Sequence, residues 1–196
     1  MTTPGLRLPA AIWLASGLLW FVLEGVAAAG YPGYDYATNY ISDLGVTTVI
    51  MNVEFWLQGI LFLIAAVLAV RVASGWMRWL FLVIAVAYAV GMFLIAVFPS
   101  SPEAHADGTI LVHVIGANLA IVGGDAALIV AGLGSRPLGA ATAFRIAAVA
   151  AGVLGLAAAL ALLLIDSTPG LWERAAVYPV MLASIVVGAV ILLRRR

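Results

Sequence analysis

Ser42, Asp43 and His113 are the residue types that make a nucleophile, an orienting acid and a general base. Brought together, they would hydrolyse an ester or amide. Ser42 next to Asp43 also suits a turn or cap, with both side chains bonding nearby backbone N–H groups. Such turns are far commoner than triads. The only histidines are His105 and His113, eight apart, and no HExxH spacing is present. No metal site and no cofactor is therefore expected. Cysteine is absent, which excludes disulfides and thiol chemistry.

A second set of polar residues lies inside long apolar runs. Glu24 sits six residues before Gly30, about 9 Å along a helix. His113 has a comparable depth in its own run, so a Glu24–His113 pair is possible if their helices are neighbours. Asn118 and Asp125 are seven apart and share a helix face. They suit hydrogen bonding to another helix, or, more sharply, a proton relay. Intramembrane ionisable groups are expensive and turn inward to a partner. Arg174 calls for an ion pair with Glu173, Asp43 or Asp166, or for a lipid phosphate on its planar fork. Glu173 and Arg174 are adjacent and point to different sides of a helix, so one of them reaches another segment.

The elements that carry these residues follow from composition. The chain has 196 residues, 65% hydrophobic and 9% charged, with net charge zero. Soluble domains are about a quarter charged, so a soluble fold is excluded. Nucleic-acid binding needs a basic face and disorder needs low hydrophobicity; both are excluded. Six runs are long enough to cross lipid as helices: about 9–30, 52–72, 76–98, 109–133, 140–165 and 171–193. The alternating segments of a barrel are missing. The expected fold is an all-α, six-helix transmembrane bundle forming a single domain over 1–196. The first run is too long for a signal-peptide core and Glu24 interrupts it, so it is expected to stay as a span.

Boundary residues agree. Pro9 suits a helix start, Pro99 stops the third run, and Ser101-Pro102-Glu103 reads as N-cap, N1 and N2 of a short helix. Gly132, Gly134 and Pro137 end the fourth run, and Ser167-Thr168-Pro169-Gly170 parts the fifth from the sixth. All nine basic residues are arginine. Arg7, the Arg71/Arg78 connection, the Arg136/Arg145 connection and Arg194–Arg196 mark four places that the positive-inside rule assigns to the cytoplasm. Both termini are then cytoplasmic. The other connections carry Asp35, Asp43, Glu54, Glu103, Asp107, Asp166 and Glu173, with Arg174 as their one basic residue. Small residues repeat at helix-packing spacing: Gly116, Ala120 and Gly124; Ala151, Gly155 and Ala159; Ser184 and Gly188.

The string Asn39-Tyr40-Ile41-Ser42-Asp43-Leu44-Gly45 resembles the YISDLG signature of the DUF998 family of membrane proteins. Asn52, Gly59, Phe98-Pro99, His113, Gly170-Leu171-Trp172-Glu173-Arg174 and Tyr178 follow in the same order. That family is distantly similar to the Frag1/DRAM/Sfk1 membrane proteins. The resemblance implies six helices and no assigned activity. It singles out Ser42, Asp43, Asn52, His113, Glu173 and Arg174; the Ala-rich fifth run departs from it.

Three functions compete. The least demanding is non-catalytic binding of a lipid headgroup or partner protein at an outer polar vestibule built from Asn39, Ser42, Asp43, Asn52, His113, Glu173 and Arg174. The second is a membrane-embedded lipid hydrolase using Ser42, Asp43 and His113. The third is a small proton-coupled transporter using Glu24 and Asp125. Expected partners are membrane lipids, a second copy or another membrane protein, in the plasma membrane.

Overall fold

The computed structural model describes residues 4–193. Arg194–Arg196 and the charge assigned to them lie outside these residues. Among the described residues eight α-helices run in chain order: α1 (Arg7–Ala29), α2 (Asp43–Thr47), α3 (Val49–Val70), α4 (Met77–Val97), α5 (Pro102–Asp107), α6 (Ile110–Gly134), α7 (Thr142–Leu164) and α8 (Pro169–Leu193). Short 3-10 turns at Pro4–Leu6 and Arg136–Leu138 complete the secondary structure of the described residues. Six helices, α1, α3, α4, α6, α7 and α8, are long and apolar enough to cross a membrane.

Each long helix packs on its sequence neighbours, and α8 closes back on α1. α6 and α8 also touch, so α7 lies outside a ring of five. The outward faces are apolar, with Val22, Leu111, Ile146, Leu154 and Leu163 exposed. Water would not tolerate this surface; lipid does. The chain is thus a multi-pass membrane protein.

Two ends can be distinguished. At the terminal end, Arg7 at the start of α1 donates to the Leu192 carbonyl near the end of α8. The loop end carries the Tyr31–Thr48 connection, α5 and the α7–α8 turn. The long connection holds the short helix α2, which no sequence signal announced, and α3 therefore starts at Val49 rather than near Asn52. Thr48 caps α3, accepting from the Ile50 amide at 3.0 Å. Ser101 caps α5 as expected, accepting from Ala104 at 3.3 Å.

Small residues set the interhelix distances. A Cβ on Gly91 of α4 would meet the α6 backbone at Gly116 and Ala120 within 2.6 Å. Gly124 of α6 lies against Val180 and Tyr88, and Gly188 of α8 against Ala10 and Leu14 of α1. On α7 the buried face is Ala148, Gly152, Gly155 and Ala158. Ala151 and Ala159, expected at the contact, are only half-buried. The helix is rotated so that Gly152 and Gly155 straddle Asp125 of α6.

Candidate functional site

The loop end is built around one buried arginine. Arg174, in the second turn of α8, pairs with Glu24 of α1: Nη2 lies 3.0 Å and Nε 3.1 Å from Oε1. Nη1 donates to the carbonyls of Tyr36, Asn39 and Gly170 at 2.9–3.0 Å. Nη2 also donates to the Tyr34 hydroxyl, and the guanidinium lies over the Tyr36 ring at 4.7 Å. Every N–H on Arg174 is occupied, so none is left for a lipid phosphate. The partner acid is Glu24; Glu173, Asp43 and Asp166 do not pair with it.

Glu24 is equally committed. Trp20 Nε1 donates to Oε2 at 3.1 Å, one turn away on α1. The Tyr178 hydroxyl lies 3.0 Å from Oε1. The Glu24–His113 pair that the sequence left possible does not form; Glu24 is taken by Arg174 from α8. Glu173 turns the other way and accepts from the Ile41 amide. Both members of the Glu173-Arg174 pair therefore cross to the long connection. Leu171 adds a backbone bond from its amide to Ala37 at 3.1 Å. Gly170 allows this close approach: a Cβ there would collide with the Asn39 and Tyr36 carbonyls.

The loop residues complete the clamp. Tyr34 donates its hydroxyl proton to the Tyr40 carbonyl at 2.8 Å. Burial raises the Tyr34 hydroxyl to about 12, outweighing the Arg174 charge that pulls it down. Asp43 accepts from the Tyr40 amide at 2.9 Å and weakly from Asn39 Nδ2 at 3.5 Å. Asn52 Nδ2 donates to the Gly45 carbonyl at 2.7 Å, tying α3 to α2. Asn39, Asp43 and Asn52 thus bond the protein's own backbone.

Below the clamp lies a cavity of about 40 Å³ whose lining includes Ser42, His113, Glu173, Trp20 and Tyr88. His113 Nδ1 lies 2.7 Å from the Phe98 carbonyl. A carbonyl only accepts, so this bond holds the proton on Nδ1 and leaves Nε2 as the acceptor of the neutral ring. Ser42 and His113 share this cavity without a hydrogen bond between them, and Asp43 bonds the loop backbone instead. The nucleophile–acid–base relay is not assembled.

Deeper residues differ from expectation. Asn118 is exposed and bonds the Val114 carbonyl of its own helix at 2.8 Å, so it reaches no other helix. Asp125 is fully buried, with neither carboxyl oxygen partnered. Glu54, grouped with the loop acids by position, lies inside α3 with 0% exposure and no partner. Gln58 and Tyr88 join it as buried polar residues that sequence reasoning passed over. The four-residue Glu54–Gln58 and Trp20–Glu24 spacings place each pair on one helix face, and that was the available signal.

At the terminal end lies a larger cavity of about 140 Å³, lined by all six long helices and almost wholly apolar. Two N–H donors at its lining, Trp13 Nε1 and Arg78 Nε, are buried without a partner. Arg78 Nη1 is held by the Ala73 carbonyl at 2.9 Å. Among the described residues no three of His, Asp and Glu converge to hold a metal ion.

The family model described as "Protein of unknown function (DUF998)" matches residues 14–190, nearly all of this architecture. The chain belongs to the DUF998 family. No curated protein and no solved structure matches it significantly. The match of this DUF998 chain takes in the clamp, the cavity below it, the buried polar residues and most of the terminal-end cavity, whose Leu6, Trp13 and Ile191 lie outside it.

Proposed function

We propose that this DUF998 protein binds a membrane amphiphile without catalysis, and that the acyl part enters the terminal-end cavity rather than the loop-end cluster. The carrying observation is the cavity itself. The neighbouring seams close to backbone contact at Gly91, Gly116 and Gly188, so loose packing is not general. This space of about 140 Å³ is lined almost wholly by apolar side chains and opens to the surroundings, so an apolar chain can enter it and bury its surface.

The orphan groups point to the occupant's chemistry. Trp13 Nε1 and Arg78 Nε are both donors, so they call for oxygen acceptors, as in a phosphate, carboxylate or ester. An apolar chain with such a head fits both features. The loop-end cluster, whose donors are already used, serves as the lid that fixes α1 against α8. The arginine-bearing terminal end faces the cytoplasm and the membrane is the plasma membrane in this reading.

The test is native mass spectrometry of the protein purified in mild detergent, with and without added phospholipid. Wild type retains lipid; Ala131→Phe, which fills the cavity, loses it, and Arg78→Gln weakens it. Lipid stoichiometry unchanged by both substitutions removes the proposal.

A further inference from the structure

We infer that Glu54, Gln58, Tyr88 and Asp125 line a hydrated path that carries protons between the two cavities. Both carboxyl oxygens of Glu54, both of Asp125 and Gln58 Oε1 are buried without a hydrogen-bond partner, and the Tyr88 hydroxyl is buried beside Gln58. Buried polar groups in folded proteins are paired with protein or with water, and water takes the positions protein leaves. These orphan oxygens in the helix interior call for several waters.

Their placement makes a path. Glu54 and Gln58 are successive turns of one face of α3. Gln58 lies between Phe55, which lines the upper cavity, and Phe62, which lines the lower one. Its Nε2 is anchored on Met181 Sδ at 3.1 Å, leaving Oε1 open. Tyr88 lies beside Gln58 and also lines the upper cavity. Its ring packs at a tilt against Phe62, with centroids 4.6 Å apart. On α6, Asp125 falls between Ile121 of the upper lining and Ala127 of the lower. Gly155 of α7 leaves the space its carboxyl fills.

The groups facing this path are few. Tyr88 lies near Glu54, Asp125 and Gln58, and among the described residues neither the Glu54 nor the Asp125 carboxyl has an ion-pair partner. α7 presents Gly155, and α8 presents Val180 and Met181. His113 and Glu173 stand at the upper cavity. With no resident cation, the carboxyls are free to exchange protons. Each step breaks a carboxyl O–H bond as a water accepts the proton, and the carboxylate regains one from the water behind it. Nothing is oxidised or reduced. Glu24, held by Arg174, takes no part.

The test uses the full chain in liposomes loaded with a pH-sensitive dye, with valinomycin to clamp the potential. Wild-type vesicles collapse an imposed proton gradient faster than protein-free vesicles. Glu54→Gln and Asp125→Asn each abolish the difference, while Glu103→Gln on exposed α5 keeps it. Wild-type vesicles that match empty ones overturn the inference, as does either variant running at the wild-type rate. If a variant fails to fold, a hydrophobic carbodiimide decides on wild type: it labels Glu54 and Asp125 when these carry exchangeable protons in an apolar setting. Absence of label at both positions also overturns it. Lipid-binding results leave this outcome untouched, since the substitutions here avoid Arg78 and Ala131.

Discussion

Arg174 shows how a single charge is kept inside a membrane protein. Its guanidinium meets one carboxylate, three carbonyls and a hydroxyl, so the charge is neutralised and each N–H is satisfied. Removing one partner strands the other in a low-dielectric interior. Glu24→Gln is expected to lose about 3–5 kcal/mol, the usual cost of breaking a buried pair, read from denaturant unfolding in detergent. Arg174→Lys should recover little of an Arg174→Ala loss, because an ammonium has three donors and no fork. Tyr34 gives a pH readout of the same clamp. Its raised pKa of about 12 means the folded state holds the proton more tightly than the unfolded chain. The resulting stability is full below 10 and falls as pH rises from 10 to about 12. Ultraviolet titration should show a tyrosinate forming near pH 12, and Tyr34→Phe should remove that step; an unchanged titration in Tyr34→Phe means Tyr34 is not the group. The residue types of this clamp were readable in the sequence, but not its pairing. Glu24 is separated from Arg174 by 150 positions, and nothing local distinguishes it from Glu173 or Asp43 as the partner.

Among elements, the six spans were readable to within about three residues because lipid imposes one rule on all of them: every backbone group must be paired within the segment. The short helix α2 was not readable. Its Asp43–Thr47 stretch is five residues long, too short to show a helical period, and it is held by Asn52 from the next helix. The rotation of α7 was missed for a related reason. Its Ala-rich surface offers small residues on every side, so spacing alone cannot choose Gly152 over Ala151. Asp125 on α6 makes the choice, since only glycine leaves room for its carboxyl. Two substitutions separate seam from surface. Gly91→Ala places a methyl within 2.6 Å of α6 backbone atoms, and overpacking of this kind costs about 1–3 kcal/mol. Gly25→Ala on α1 meets nothing within 4 Å and should stabilise by about 0.5–1 kcal/mol through helix propensity. Thermal unfolding in one detergent compares them; equal effects would mean that α4 and α6 are not in backbone contact.

For the whole molecule, charge divides the two ends. The terminal end carries Arg7, Arg71, Arg78, Arg136 and Arg145, whereas the loop end carries acids and one arginine, which is neutralised by Glu24. That pairing explains why Arg174 does not weaken the topological signal: a buried, paired arginine is no free positive charge for the positive-inside rule. The closure of α8 on α1 had no counterpart in the sequence, because lipid solvates all apolar faces alike and leaves their choice of neighbour to shape. Orientation, by contrast, follows from the loops, and the cysteine-free chain makes it directly measurable. Ser74→Cys sits in the α3–α4 connection and Ala106→Cys in α5, both at exposed positions on opposite ends. In intact cells a membrane-impermeant maleimide should label Ala106→Cys at once and Ser74→Cys only after lysis. The reverse pattern would place the acidic loops and the Arg174 clamp inside the cell. It would also turn the apolar cavity and Arg78 outward, where a lipid of the outer leaflet, rather than the cytoplasmic one, would be the molecule to enter it.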